Sequence, residues 1–325
     1  MSRDDIAVGL VLGYAADLLL GDPRRWHPVA GFGRVAAALE RHTYGPSRGR
    51  GVVHEAVLVG GAFGVGALAA RAARRGGAPA RVGLVAAATW AVLGGRSLTR
   101  EAEAMGALLA AGDVPGARVR VRNLVGRDPS ALGADELARA TVESVAENGA
   151  DAVVSPLFWG AVGGVPGLLA FRAANTLDAM VGHRTPRYAV FGWAAARLDD
   201  VANWVPARIT VAATMLAAPR RAGAVWRAVR RDVPAHPSPN AGPVEAAFAG
   251  ALGCSLGGTN TYSGVVEERG RLGEGPAVTV GDLPRATALQ TRIGAIALVV
   301  ILGGRGVVRM ARMKRRAERD RTRGL

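Results

Sequence analysis

The run AVVSPLFWGAVGGVPGLLAF, residues 152–171, decides the fold class. It carries no charge over 20 residues and lies between Asp151 and Arg172. That is long enough to cross a bilayer. It does not read as a simple span, because Ser155-Pro156, Gly160, Gly163, Gly164, Pro166 and Gly167 interrupt it. Proline and glycine break helices, and a broken helix at membrane depth is tolerated where its backbone lines a cavity. Polar motifs bracket both ends: Glu143-Ser144-Val145-Ala146-Glu147-Asn148-Gly149-Ala150-Asp151 before it, Asn175-Thr176-Leu177-Asp178 and Gly182 after it. If both ends serve one site, the run must dip and return. The expectation is a re-entrant or broken helix.

Shorter apolar runs surround it. Ala56–Ala70 ends at Arg71, Val82–Gly95 lies between Arg81 and Arg96, Ile209–Pro219 between Arg208 and Arg220, and Ile293–Gly304 between Arg292 and Arg305. Runs of this length also suit buried helices of a soluble core. Flanking arginines favour the membrane, since long side chains snorkel to the interface. Half the residues are hydrophobic but only 5% are aromatic. Alanine and glycine make up the difference, and small residues let membrane helices approach closely, although a GC-rich genome produces the same bias. The predicted fold class is all-α: a polytopic membrane helical bundle with broken or re-entrant helices and a helical soluble insert. Residues 1–325 are read as one membrane-embedded domain, with the insert at 99–150. Within it Leu98, Ala102, Met105 and Leu109 recur at helical spacing, and Gly112-Asp113 reads as a helix stop and a new N-cap. Residues 305–325 form a basic tail, and the positive-inside rule puts it in the cytoplasm, making the chain a multi-pass protein of the cell (inner) membrane. The N-terminus lacks the basic start of a signal peptide, so no cleavage is expected. No internal repeat is evident.

The formal charge of +15 is almost wholly arginine, because Lys314 is the only lysine. A Walker A loop and Schiff-base chemistry both need a lysine in the site, and Lys314 lies in the charged tail. Cys254 stands alone, which excludes an internal disulfide and a thiolate zinc cluster. The five histidines form no HExxH pattern. Arg118, Arg120 and Arg122 come without any groove-reading motif, so no nucleic-acid partner is expected.

Chemistry concentrates over Glu143–Arg208. On a regular helix Glu143, Glu147 and Asp151 fall at i, i+4 and i+8 and share a face. Like charges at that spacing destabilise a helix unless solvated or bridged by a cation, and oxygen-rich clusters suit Mg²⁺ together with substrate phosphates. A plain solvated acidic face is the alternative, although these acids end directly at the longest apolar run. Next come Asp199, Asp200 and Asn203, which resemble a second metal or polar-substrate shell, or else helix-capping acids. Arg208 follows, able to grip a phosphate or carboxylate with two hydrogen bonds. Two Pro/Gly-set turns present further candidates: Gly21-Asp22-Pro23 leading to His27-Pro28, and His236-Pro237-Ser238-Pro239-Asn240-Ala241-Gly242.

Together these motifs resemble the adenosylcobinamide-phosphate synthase family, the membrane-bound enzymes also called cobalamin biosynthesis protein D. The matching pieces are Leu20-Gly21-Asp22-Pro23 with His27-Pro28-Val29, Val125-Gly126-Arg127-Asp128, Glu143-Ser144 with Ala146-Glu147-Asn148 and Asp151, Pro156-Leu157-Phe158, Asn175 through Gly182, Ala196 through Asp200 with Asn203 and Pro206-Ala207-Arg208, and Ser238 through Gly242. They stand in the family's order from residue 20 to about 258; the ends carry no specific match. The resemblance implies a ligase that joins 1-amino-2-propanol phosphate to adenosylcobyric acid through an amide, giving adenosylcobinamide phosphate. ATP with Mg²⁺ would drive it, and the corrinoid would be substrate, not bound cofactor. Its surroundings would be membrane lipid and other cobalamin-pathway enzymes.

On that reading Glu143, Glu147, Asp151, Asp199 and Asp200 supply oxygen to Mg²⁺. Arg127 and Arg208 neutralise phosphate. His27 or His236 takes the proton of the attacking ammonium, with Asp22 and Asp178 as further catalytic candidates. Asn148, Asn175, Asn203 and Asn240 orient the amide-rich corrinoid edge. No nucleotide-binding motif is recognisable, so the ATP site is expected to be unconventional. The rival readings are a membrane transporter, which would share the broken helices and intramembrane acids, and a scaffold that docks pathway enzymes.

Overall fold

In the computed structural model the described residues are 2–22, 27–126, 128–183, 185–262 and 265–323, with backbone alone at 259–269 and 305–323. Twelve α-helices follow one another: α1 (Arg3–Leu20), α2 (Pro28–Thr43), α3 (Arg48–Ala73), α4 (Gly77–Val92), α5 (Gly95–Ala110), α6 (Val114–Arg120), α7 (Ala134–Gly149), α8 (Ser155–Val181), α9 (Trp193–Ala217), α10 (Ala222–Asp232), α11 (Ala241–Leu252) and α12 (Leu283–Arg323). A single antiparallel hairpin, β1 (Leu256–Tyr262) and β2 (Val265–Leu272), stands between α11 and α12. Among the described residues, this hairpin is the departure from an all-helical reading. Its strands are rich in Thr, Tyr and Val, residues that fit a pleated surface.

Arg48–Ala110, Ala134–Val181 and Val280–Gly304 each contain a stretch long and apolar enough to cross a membrane. A fourth arises if α9 and the segment Pro219–Ala235, bent by 106° at their junction, count together. Large apolar side chains on α1 and α3 face outward, among them Leu12, Leu19, Val57, Phe63 and Leu68. In water such a surface would be a liability; against lipid tails it is ordinary.

Small residues set the helix spacing. A Cβ on Gly9 of α1 would fall 2.4 Å from the Cβ of Val85 on α4, and one on Gly13 would fall 2.4 Å from that of Thr89. Two glycines four apart thus let α1 and α4 close on one face. A Cβ on Gly66 of α3 would lie 2.7 Å from the Cα of Pro166, so α3 crosses α8 backbone to backbone.

α8 is broken, as its composition predicts. Gly164 sits at φ 63°, ψ −153°, outside the helical region, and Pro166 follows two residues on. The chain then folds back on itself: a Cβ on Gly167 would lie 2.7 Å from the carbonyl oxygen of Trp159. The part of the run before the break, residues 152–163, spans roughly 18 Å of helix, short of a bilayer core of about 30 Å. The run therefore dips and returns.

The residues read as an insert form α5, α6 and α7. Gly112, at φ 75°, ends α5, and the Asp113 side chain accepts the Gly116 N–H at 2.9 Å to cap α6. Leu98, Met105, Ala117, Val121 and Leu137 join the same buried cluster as Leu157, Phe248 and Ile293, so these helices share the main core. A smaller cluster gathers Leu58, Leu177, Val181 and Phe191.

Candidate active site

The site begins where α7 meets the apolar run. Residues 150–154 form a π turn, one residue wider than an α turn, a feature often found at functional sites. It can turn Asp151 relative to Glu147, whereas Glu143 and Glu147 both lie before it on regular helix. Glu147 and Asp151 face a cavity of about 130 Å³, whereas Glu143 does not. The Glu143 carboxylate instead accepts from Arg139 at 3.1 Å and from the backbone N–H of Gly257 at 2.9 Å. It fastens the start of β1 to α7, one helical turn back from Glu147, so Glu143 stands outside the cavity that Glu147 and Asp151 line.

Across the cavity, α8 contributes Ser155 and Asp178, α9 contributes Asp199, Asp200 and Asn203, and the turn before α11 contributes Ser238 and Asn240. Five of the lining residues are carboxylic acids, and none is basic. The fold-back of α8 makes this possible by bringing Asn175 to Asp151. The Asn175 amide nitrogen donates to Asp151 and to Asp199, each at 3.2 Å, while its oxygen accepts from Arg172 at 3.3 Å. Asn203 donates to Asp199 at 2.9 Å and accepts from the Ser155 hydroxyl at 2.6 Å. On the far wall, Asn240 donates to the Asp200 carbonyl at 2.8 Å and accepts from Arg208 at 3.1 Å. Arg208 also lies 4.6 Å from the centre of the Trp204 ring.

The remaining candidates stand back from the cavity lining. Asn148 spends its amide on Ser144, at 2.8 Å to the hydroxyl. His236 is buried, and its Nδ1 accepts from the Ser238 N–H at 3.1 Å, so it shapes the turn that presents Ser238 and Asn240. His27 caps α2 by accepting the Val29 N–H at 3.2 Å and holds its Nε2 3.6 Å from Asp22. Asp22 does not line the cavity, but Arg172 lies within electrostatic reach of both Asp22 and Asp151. The turn carrying Asp22 is fixed by Trp90, whose indole N–H donates to Gly21 at 2.9 Å. Arg127 lies outside the described residues; beside it, Asp128 accepts the Ser130 N–H at 3.0 Å, which holds its carboxyl below the usual range.

Three residues join the site without having been singled out. Ser155 and Arg172 belong to the hydrogen-bonded network itself. Glu55 on α3 is 5% exposed, lacks a hydrogen-bond partner for either carboxylate oxygen, and feels the charges of Asp178 and Asp199. Its sequence signal is the same as that of Asp151: a carboxylate standing directly before an apolar run.

Among the described residues, no three carboxylates, histidines or cysteines converge closely enough to ligate one metal ion unaided. The donor chemistry nonetheless fits Mg²⁺. The polar lining offers oxygen donors from five acids, Ser155, Ser238, Asn203 and Asn240, and Mg²⁺ uses one or two carboxylates while keeping waters and substrate phosphates.

Fold and site together define a polytopic helical membrane protein with an acid- and amide-lined pocket built around a returning helix. The family described as CobD/Cbib protein matches residues 10–290. The chain is 50% identical over 301 residues to the cobalamin biosynthesis protein CobD of Mycobacterium tuberculosis strain H37Rv, covering 91% of this chain and 95% of that one. It is 45% identical over 291 residues to the CobD of Chromobacterium violaceum (88% and 92% covered) and 42% over 307 residues to that of Rhodobacter capsulatus (91% and 96%). No solved structure matches. The chain belongs to the CobD/Cbib family of cobalamin-biosynthesis proteins.

Proposed function

We propose that this chain is an adenosylcobinamide-phosphate synthase, an ATP-dependent ligase of the cell membrane that joins adenosylcobyric acid to 1-amino-2-propanol phosphate. The observation that carries this reading is the pocket lined by Glu147, Asp151, Asp178, Asp199 and Asp200, assembled from separate helices around a single cavity. Arg197 lies 3.3 Å from Asp200, but five carboxylates around one cavity still repel one another unless further cations or protons intervene. A site for phosphates carried with divalent ions answers that demand.

Amide formation needs the carboxylate activated. The propionate oxygen takes the γ-phosphoryl group of ATP, giving an acyl phosphate and ADP. The ammonium gives up one proton, the free amine attacks the carbonyl carbon, inorganic phosphate leaves, and a second proton is lost from nitrogen. Glu147, Asp151, Asp199 and Asp200 would hold Mg²⁺, which when bound neutralises the phosphate oxygens. Asn175 and Asn203 keep Asp151 and Asp199 aimed. Arg208, positioned by Asn240, faces phosphate charge. Asp178, alone among the catalytic candidates in lining the cavity, accepts the ammonium proton. A cavity of about 130 Å³ holds the reacting ends and not a macrocycle. The corrinoid ring therefore lies across its mouth, and the basic C-terminus faces the cytoplasm where ATP is available.

The test is turnover by the purified protein in detergent. With adenosylcobyric acid, aminopropanol phosphate, ATP and Mg²⁺, ADP and adenosylcobinamide phosphate should form in equal amounts. Corrinoid uptake into protein-containing vesicles with no ADP formed would instead identify a transporter.

A further inference from the structure

α9 and the segment Pro219–Ala235, which contains α10, meet at a 106° bend, so α10 turns nearly perpendicular to α9. α10 is short, and its two faces differ. Val225 and Ala228 are buried, while Arg220, Arg221, Trp226, Arg227, Arg230 and Arg231 are exposed. The Arg230 guanidinium lies 5.8 Å from the Trp226 ring centre. A short helix with arginines and a tryptophan on its open side suits the lipid–water boundary.

Beneath α10 lies a second cleft, of about 180 Å³. It is separate from the acidic pocket: Ala241 and Val244 of α11 line the first, Ala249 and Gly250 at the other end of that helix line the second. Arg221 and Arg227 form one wall, and Gly250, Gly253, Gly273 and Gly275 leave the opposite wall as bare backbone. Gly253, at φ 75°, lets the Arg221 guanidinium approach: a Cβ there would stand 2.6 Å from its Nη2. The Arg221 Nε donates to the Gly250 carbonyl at 2.9 Å, which fixes the guanidinium at the cleft. The acid in the lining, Glu274, is ion-paired with Arg231, which also grips Asp232 at 2.5 Å. Arg231 is shared between two acids, and with Arg221 and Arg227 included the cleft and its rim keep a net positive charge.

We propose that this cleft is a phosphate-binding site, in which Arg221 and Arg227 hold the phosphate of an anionic lipid headgroup or of a phosphate-bearing solute. Arginine matches phosphate geometry with paired N–H donors, and α10 places the cleft where headgroup phosphates lie. It is distinct from the acidic pocket and does not depend on the ligase reading.

The full chain in neutral detergent would be titrated with dihexanoyl phosphatidylglycerol, with inorganic phosphate, and with dihexanoylglycerol, which lacks phosphate, while its melting temperature is followed. A saturable rise with phosphatidylglycerol alone assigns a lipid headgroup; a rise with inorganic phosphate as well assigns the phosphate group itself. Either supports the site, provided that dihexanoylglycerol gives none and that the rise disappears in the Arg221→Gln/Arg227→Gln double variant. Because Arg221 also braces α11, Arg227→Gln alone is the second variant. It should fold normally, keep native ligase turnover and bind the effective probe about fivefold more weakly. No saturable rise with either phosphate probe, or unchanged affinity in Arg227→Gln, overturns the proposal.

Discussion

Asn175 and Asp151 are hydrogen-bonded at 3.2 Å although 24 residues separate them. A straight helix of that length would hold them roughly 36 Å apart. The break at Gly164 closes that distance, and with it the carboxylates of α7, α8 and α9 share one pocket.

Asn175→Ala would leave Asp151 and Asp199 facing each other without the amide that separates them. The expected cost is about 1–3 kcal/mol of stability, the scale for leaving buried acceptors unmatched. Asn175→Asp should be worse than Ala, since it adds a third negative charge. Thermal melts in detergent would rank the variants.

Gly66→Leu forces a side chain into the backbone of Pro166, where even a Cβ lies 2.7 Å away. Overpacking of this kind costs about 1–3 kcal/mol, and it should also misplace Asn175 and lower activity. On the same helix Gly61 has open space around its Cβ position, so Gly61→Ala should melt no lower than the native protein.

Cys254 is buried, and burial pushes its thiol up to about 11 from an ordinary value of 9.0. The folded chain therefore keeps its proton where the unfolded chain would lose it. The corresponding stability is fully present below about pH 9 and is lost as pH rises toward 11. At pH 8 maleimide should label the folded protein slowly and the denatured protein at once. Rapid labelling of the folded form would contradict the packing around α11 and the hairpin.

Glu143→Gln separates structure from chemistry. It removes the ion pair with Arg139 at 3.1 Å while leaving an oxygen for the Gly257 N–H. The melting temperature should fall and the Mg²⁺ dependence of turnover should stay native. A large rise in the Mg²⁺ requirement would return Glu143 to the metal set.

Much of this arrangement is legible in the residues. The broken helix follows from Gly164 and Pro166 inside an uncharged run, and the shared pocket from acids and amides at both its ends. Asp113 as an N-cap follows from its place after Gly112. What escapes is whatever depends on distant packing. Helical spacing places Glu143 one turn from Glu147, but the Gly257 N–H that it accepts lies 114 residues on in sequence, so its structural use leaves no local signal. His236 in a Pro-rich turn looked available for proton transfer, but its burial is set by α11, where Gly242 leaves room for the ring. Glu55 comes from α3, far from the other acids in sequence, and the packing of that helix against α8 and α9 brings it to the site.

The most direct test of the single acidic pocket is turnover against Mg²⁺ concentration in Asp199→Asn, whose side chain meets both Asn175 and Asn203 at the cavity wall. The account predicts that product formation is abolished, or needs far more Mg²⁺, while the protein still inserts and melts cooperatively. A near-native rate with an unchanged Mg²⁺ requirement would contradict it.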